Sequence, residues 1–334
     1  MSRPEILFLT SSLSSFVEKD LRMLRENYPV REVATGGGSA RGLVQKVSLG
    51  CAIVSGVTKT DMTFSWFAHN HAYLAVMAAG LLGKKSLVVV GGYEVANEQD
   101  ISYGALLDPG MAKKIRYIIE NADCILAVSE FSRREIFAVA GPRRIETVYN
   151  GIDTSAFSPD GRKENVVLTV CLVSTANIRV KGLATFIEAA RHLPEARFVL
   201  IGRALDGALE MLKQDAPDNV EFVGPVRQDE LIEWYRRAKV YCQLSYRESF
   251  GVALAEAMSC ECVPVVTDRG ALPEVVGDTG FVVPYGDADA TAAAIVKALQ
   301  SDARGRAARV RVQREFSLEE RRQKIQRIIE EKPV

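Results

Sequence analysis

Short apolar runs alternate with helix-period stretches along the whole chain, and this rhythm constrains the fold more than any other feature. EILFLT, REVAT, MTFSWF, SLVVVG, CILAVS and ETVYN mark strands in the first half; NVVLTV, RFVLIG, VEFVG, VYCQL, CVPVVT and GFVVP mark strands in the second. Strands separated by helices pair in parallel, and a parallel sheet needs both faces covered. The pattern therefore predicts two α/β layers and not one long sheet. With 334 residues, 48% of them hydrophobic, the chain can give each layer its own core. Asn150-Gly151, Pro159 and Gly161 in NGIDTSAFSPDGRKEN break regular structure and set a linker over 150–165. The expected organisation is a domain over 1–155, a second over 156–312, and a charged helix over 313–334. That helix packs back on the body through Leu318, Ile325, Ile328 and Ile329.

Lysine plus arginine number 42 and aspartate plus glutamate 42, so no positive excess points to nucleic acid, and a small molecule is the expected partner. Most of the six cysteines lie in apolar runs such as DCILAV and VYCQL, the pattern of reduced core thiols. Cys260 and Cys262 make a lone C-x-C without a second pair or a nearby histidine, so no metal is expected. The start MSRPEILFLTSS runs directly into a strand, and HAYLAVMAAGLLG is too short to span a bilayer before Lys84-Lys85. A cytoplasmic location is the resulting expectation.

The chemistry is most visible in YRESFGVALAEAM. Glu248 falls in a strand-to-helix loop, a helix opens at Ser249-Phe250-Gly251, and Glu256 follows about two turns in. Unpaired N–H groups and the positive end of the helix dipole favour an anion there, with Gly251 allowing close approach. Both carboxylates suit sugar or ribose hydroxyls. Spacing alone is equally compatible with two unrelated acids. A second loop, STANIRVKG, places Arg179 and Lys181 ahead of a helix beginning near Leu183, with Gly182 beside them. Two cations before a helix N-terminus suit a diphosphate, and a solvated basic loop is the alternative.

Four segments together resemble the family 4 glycosyltransferases: VYNGIDTSAF, RVKGLATFIEAARHLP, RESFGVALAEAM with its E-x7-E spacing, and CVPVVTDRGALPEVVG running to TGFVV. Their order and separation fit over residues 147–290. Over residues 1–146 the resemblance rests on ADCILAVSEFSRREI and the strand rhythm. It implies the α/β GT-B fold, two Rossmann-like doubly wound domains facing a central cleft, the first on the acceptor side and the second holding a nucleotide sugar. It further implies retaining transfer of a sugar, of hexosyltransferase type, from a UDP- or GDP-linked donor to a hydroxyl of a glycan, lipid or small molecule, with no obligatory cofactor or metal. Carried over residue by residue, Lys181 and Arg179 neutralise the diphosphate and Glu248 holds the donor sugar. The N–H groups of Phe250, Gly251 and Val252 contact diphosphate or sugar, Glu256 takes the ribose, and Val226 in VGPVRQ faces the base.

The chain also departs from the family pattern. The G-R-L triplet is missing, leaving Arg179 as a candidate replacement, and Glu261 stands in CECVPVV where glycine is frequent, which reads as surface variation. SSLSSF replaces a double glycine after the first strand, and GGYEVAN follows the fourth where many relatives carry a histidine. Acceptor-side candidates are Gly91, Gly92, Glu94, His69 and His71, with Gly36-Gly37-Gly38 as a loop at the cleft rim. Lys113, Lys114 and Arg116 beside Ile115, Ile118 and Ile119 fit either solvent or peripheral contact with the inner membrane face. An epimerase of the same fold and a non-catalytic nucleotide-sugar binder remain as alternatives; a dehydrogenase lacks its G-x-G-x-x-G after the first strand.

Overall fold

The computed structural model describes residues 3–34 and 43–331, so the glycine run at 36–38 lies outside the described residues. The chain divides into two compact units, residues 1–149 with 322–334 and residues 150–321. Unit 1 runs β1 (Ile6–Thr10), α1 (Ser15–Asn27), β2 (Val30–Ala34), α2 (Leu43–Lys59), β3 (Met62–Trp66), α3 (Asn70–Leu81), β4 (Lys85–Val90), α4 (Pro109–Asn121), β5 (Cys124–Ala127), α5 (Glu130–Val139) and β6 (Ile145–Thr147). Unit 2 continues with β7 (Glu164–Val170), α6 (Thr175–Val180), α7 (Leu183–Arg191), β8 (Arg197–Ile201), α8 (Ala208–Asp215), β9 (Val220–Gly224), α9 (Gln228–Arg237), β10 (Ala238–Gln243), α10 (Val252–Ser259), β11 (Val263–Thr267), α11 (Leu272–Val276), β12 (Phe281–Val283), α12 (Ala288–Leu299) and α13 (Asp302–Glu315). The final helix, α14 (Leu318–Glu330), starts in unit 2 and from Arg322 belongs to unit 1.

Every apolar run read as a strand forms one, and all pair in parallel within two six-stranded sheets. Sheet 1 has the order β2-β1-β3-β4-β5-β6 and sheet 2 the order β12-β11-β10-β7-β8-β9. In sheet 1, register carries Leu9 onto Ser65 and Ser65 onto Val88, so these three share a face. Ile53 and Val57 of α2 and the alanines of α3 pack on that side. On the opposite face Phe8 stacks on Phe64 at 5.8 Å, and the Trp66 indole N–H donates to buried Asp20 of α1 at 2.8 Å.

Lys84 and Lys85 do more than end an apolar stretch. The Lys84 ammonium donates to the carbonyls of Val57 and Thr58 in the last turn of α2 and of Thr60 just after it. The Lys85 ammonium donates to those of Ile328, Ile329 and Glu331 at the end of α14. A cation at a helix C-terminus satisfies orphan carbonyls and opposes the negative end of the dipole. Ile325, Ile328 and Ile329 are buried, and α14 joins unit 1 through this face and the Lys85 cap. The expected break at 312/313 falls inside α13.

The strand order of each sheet reverses once, between β1 and β3 and between β7 and β10. In open α/β sheets, ligands bind beyond the strand ends at such reversals. Glu261 also proves to be more than surface variation. It has φ +66°, donates its N–H to the Met258 carbonyl, and Cys262 donates to the Ala257 carbonyl, which makes it the left-handed residue of a Schellman cap closing α10. The equivalent position after α3 is Gly83 at φ +62°. Glu261→Gly is predicted to stabilise the protein by about 0.5–1 kcal/mol, because relief of the left-handed strain exceeds the added chain entropy. Urea denaturation showing a loss of stability would refute this.

Candidate functional site

At the β7/β10 reversal two segments meet. After β7, Ser174 caps α6 by accepting from the Asn177 N–H, so STANIRVKG is a short helix where a loop was expected. Gly182 then turns the chain at φ +64° and α7 begins at Leu183. A Cβ on Gly182 would lie 2.0 Å from the Leu244 carbonyl oxygen, so only glycine lets this turn rest on the end of β10. The Tyr246 N–H donates to the Val180 carbonyl at 2.9 Å and locks the approach. Lys181 is thereby held against the loop that carries Glu248, with Nζ 2.8 Å from Glu248 Oε2.

The Glu248 backbone is fixed from its far side. Gly270, at φ +62°, would place a Cβ 2.2 Å from the Glu248 carbonyl, and the Ala271 N–H donates to that carbonyl at 2.8 Å. Behind the carboxylate lies a buried polar chain. The Tyr241 hydroxyl donates to Gln243 Oε1 at 3.1 Å, and Gln243 Nε2 donates to Ser245 Oγ at 2.9 Å and to Glu248 Oε2 at 3.2 Å. Burial raises the Tyr241 hydroxyl well above its ordinary range, which keeps it a donor. Glu248 and Lys181 stay partly accessible, with side chains 18% and 26% exposed.

The helix after Glu248 starts at Val252 on Gly251 at φ +91°, so Gly251 and Val252 sit at its N-terminus as expected. The Phe250 ring is buried against Phe316 at 5.3 Å and ties the loop to the core. Glu256 lies just over one turn into α10, nearer its start than expected, and is buried. Arg179 is exposed in the last turn of α6, and its carbonyl accepts from the Tyr285 hydroxyl at 2.7 Å. Tyr285 in turn meets Tyr246 edge-on at 5.1 Å. Val226 lies half-buried in the turn between β9 and α9.

In unit 1 the acceptor-side candidates separate into two groups. Gly91, Gly92 and His69 lie at the carboxyl ends of β4 and β3, and His69 Nδ1 is 3.4 Å from Ser11 Oγ, which follows β1. Glu94 and His71 turn inward, a correction to their reading as ligand-facing groups. Glu94 is fully buried and accepts from the N–H groups of Ala68 at 3.2 Å, Gly91 at 3.1 Å and Gly92 at 2.8 Å. These three N–H groups engage both of its oxygens. His71 is buried with Nε2 2.8 Å from the Trp66 carbonyl.

The profile described as Glycosyltransferase Family 4 matches residues 63–156, and that described as Glycosyl transferases group 1 matches residues 165–301. The chain belongs to the family 4 glycosyltransferases. It is 28% identical over 258 residues to the N-acetyl-alpha-D-glucosaminyl L-malate synthase of Bacillus anthracis, covering 72% of this chain and 66% of that protein. It is 31% identical over 188 residues to the phosphatidyl-myo-inositol mannosyltransferase of Mycolicibacterium smegmatis, covering 53% of this chain and 48% of that protein. The chain thus spans about half to two thirds of the length of these relatives. Among solved structures, Alr3699/HepE of Anabaena superposes with a TM-score of 0.81 at 16% identity over 97% of this chain and 99% of that one. Sucrose-phosphate synthase of Thermosynechococcus elongatus gives 0.78 at 18% over 98% of each. The fold is GT-B, built from two Rossmann-like units.

No sequence motif marked Gln243, although a lone amide inside the apolar run VYCQL was a usable signal. None marked Phe67 either. This residue sits at φ +70°, a conformation that costs a bulky residue about 1–2 kcal/mol.

Burial pushes the His71 imidazole down to about 4, so as pH falls below about 6.5 the unfolded chain binds a proton that the folded chain refuses. The stability this gives is complete above about pH 6.5 and is lost as pH falls toward 4. Chemical denaturation is predicted to show wild type losing about 2 kcal/mol more than His71→Phe between roughly pH 7.5 and 5. Identical pH slopes would exclude the assignment.

Proposed function

We propose that the chain is a retaining glycosyltransferase that binds a nucleoside diphosphate sugar in unit 2 and an acceptor hydroxyl in unit 1. The observation that carries this reading is the Lys181–Glu248 pair at the β7/β10 reversal, beside the N-termini of α7 and α10. Two helix N-termini and a lysine suit a diphosphate, and a carboxylate backed by Gln243 suits sugar hydroxyls. In this reading Lys181, joined by Arg179, stabilises charge growing on the leaving diphosphate, Glu248 orients the transferred sugar, and N–H groups from Phe250 to Val252 hold phosphate or sugar oxygens. Glu256 takes the ribose hydroxyls and the Val226 backbone the base. A leaving phosphate oxygen takes the acceptor proton on the same face, so the reading needs no second carboxylate at a glycosidase spacing. Neighbouring solved structures are complexes with UDP and with UDP and glucose, which favours a uridine donor. Relatives named D-inositol 3-phosphate glycosyltransferase and phosphatidyl-myo-inositol mannosyltransferase point to a polyol acceptor, free or lipid-linked. Family membership does not favour the epimerase alternative.

Incubation with UDP- and GDP-sugars and a polyol panel, reading nucleoside diphosphate release and product anomer, tests the whole reading. Glu248→Ala is predicted to lower turnover by about a hundredfold or more, as loss of a preorganised transition-state contact does. A fully active variant would remove Glu248 from the site. Lys181→Ala should weaken nucleoside diphosphate binding by roughly 1.5–3 kcal/mol, the value of a charge-assisted hydrogen bond, and unchanged calorimetric affinity would contradict the phosphate role.

One surface favours peripheral membrane contact. α2, α3 and α4 follow one another on the same face of sheet 1. Their described side chains include Lys59, Lys113, Lys114 and Arg116 against the single acid Glu120, although the whole chain is balanced at 42 of each sign. Val47 and Val54 on α2, and Leu81 and Leu82 at the end of α3, are exposed. Cations interleaved with exposed aliphatic groups suit an anionic bilayer surface. Among the described residues no helix is long and apolar enough to cross a membrane. Sedimentation with phosphatidylglycerol vesicles should capture the protein, and Lys113→Glu with Arg116→Glu should weaken capture by about tenfold or more. Equal behaviour with neutral and anionic vesicles would dismiss the contact.

A further inference from the structure

The carboxyl-end rim of sheet 1 at the β1/β3 reversal is built around a strained aromatic residue. Phe67 is one of three non-glycine residues among those described with positive φ, and it directly follows β3. Its conformation is held from both sides, because its own N–H donates to the Val89 carbonyl at 2.9 Å and the next N–H, of Ala68, donates to Glu94 Oε1. The same carboxylate accepts from Gly91 and Gly92 and so joins the ends of β3 and β4. Gly91 leaves room for the ring, since a Cβ there would lie 3.0 Å from Phe67 Cε1. The ring is half-buried, meets Phe16 edge-on at 6.4 Å, and lies nearly parallel to His69 at 6.0 Å. His69 and Ser11 add polar atoms 3.4 Å apart across the ends of β3 and β1.

A fully buried carboxylate that accepts from three backbone N–H groups, and by doing so keeps a bulky residue in a left-handed conformation, fixes where that side chain points. Ordinary core packing would place the same ring from an extended backbone without strain. We propose that this rim is a subsite for a cyclic polyol, with the Phe67 ring receiving the C–H face, Ser11 and His69 receiving hydroxyls, and Glu94 acting as the positioning residue for Phe67. An aromatic face bordered by a hydroxyl and an imidazole matches a ring that is apolar above and below and hydroxylated at its edge. Naming that polyol the acceptor rests on the transferase reading; the subsite itself rests on unit 1 alone.

Saturation-transfer NMR with myo-inositol as the probe, alongside calorimetry with UDP, tests the assignment. Wild type should transfer saturation to the inositol ring protons. Phe67→Gly accommodates the positive φ while removing the ring, and should weaken inositol binding by about tenfold or more. Glu94→Gln offers one acceptor oxygen in place of two and should weaken it similarly, with UDP affinity unchanged in both variants. Absence of transfer in wild type, or inositol binding unaltered in folded Phe67→Gly, would overturn the proposal. If Glu94→Gln does not fold, Phe67→Gly decides the subsite, and Glu94→Asp, which keeps both oxygens on a shorter arm, tests the positioning role through partial recovery of inositol binding. Failure of wild type to bind UDP would count against the donor reading and leave the polyol subsite standing.

Discussion

The contact between Gly182 and the end of β10 governs unit 2. A side chain at residue 182 would overlap the Leu244 carbonyl, and without that approach the Lys181 ammonium could not reach the Glu248 carboxylate. Gly270 performs the matching task behind Glu248. Two glycines in left-handed conformations therefore press three chain segments together at the point where the strand order reverses. The ion pair is a consequence of backbone packing. Its partial exposure limits what it adds to stability, while its place beside two helix N-termini suits it to anion chemistry.

Unit 1 uses a carboxylate at its own reversal for a different purpose. Glu248 is partly exposed and paired with a cation; Glu94 is fully buried and surrounded by three backbone N–H groups. Each arrangement satisfies the same physical demand, since a carboxylate removed from water needs donors of comparable strength. An exposed ion pair can exchange its partner for a ligand. A carboxylate saturated by N–H groups works through the backbone it holds, here the turn at Phe67. The neighbouring His71 is kept neutral by burial and belongs to the same packed layer.

The fold was legible because its cause is periodic. The apolar runs, the position of α7 and the apolar face of α14 follow from residue spacing, and each appears where the spacing places it, whereas α10 opens later than its sequence suggested. The motif residues Lys181 and Glu248 were legible too, because their chemistry and neighbouring glycines stand together in sequence. The directions of Glu94 and His71 were not. A charged or imidazole side chain near a strand end can face solvent, ligand or core, and the decision lies with N–H groups contributed by residues such as Ala68, Gly91 and Gly92. Glu261 reads in sequence as a surface substitution, and its left-handed cap is visible only from the backbone.

By itself the sequence determined the two parallel layers, the family and the residues around which a donor site can form, because periodicity and spaced motifs are local properties. Tertiary structure alone decided that Lys181 meets Glu248, that Gln243 supports the carboxylate, and that Phe67 is held in strain by Glu94. Those outcomes depend on approaches of a few ångströms between segments many residues apart, and such distances are set by strand order and glycine contacts.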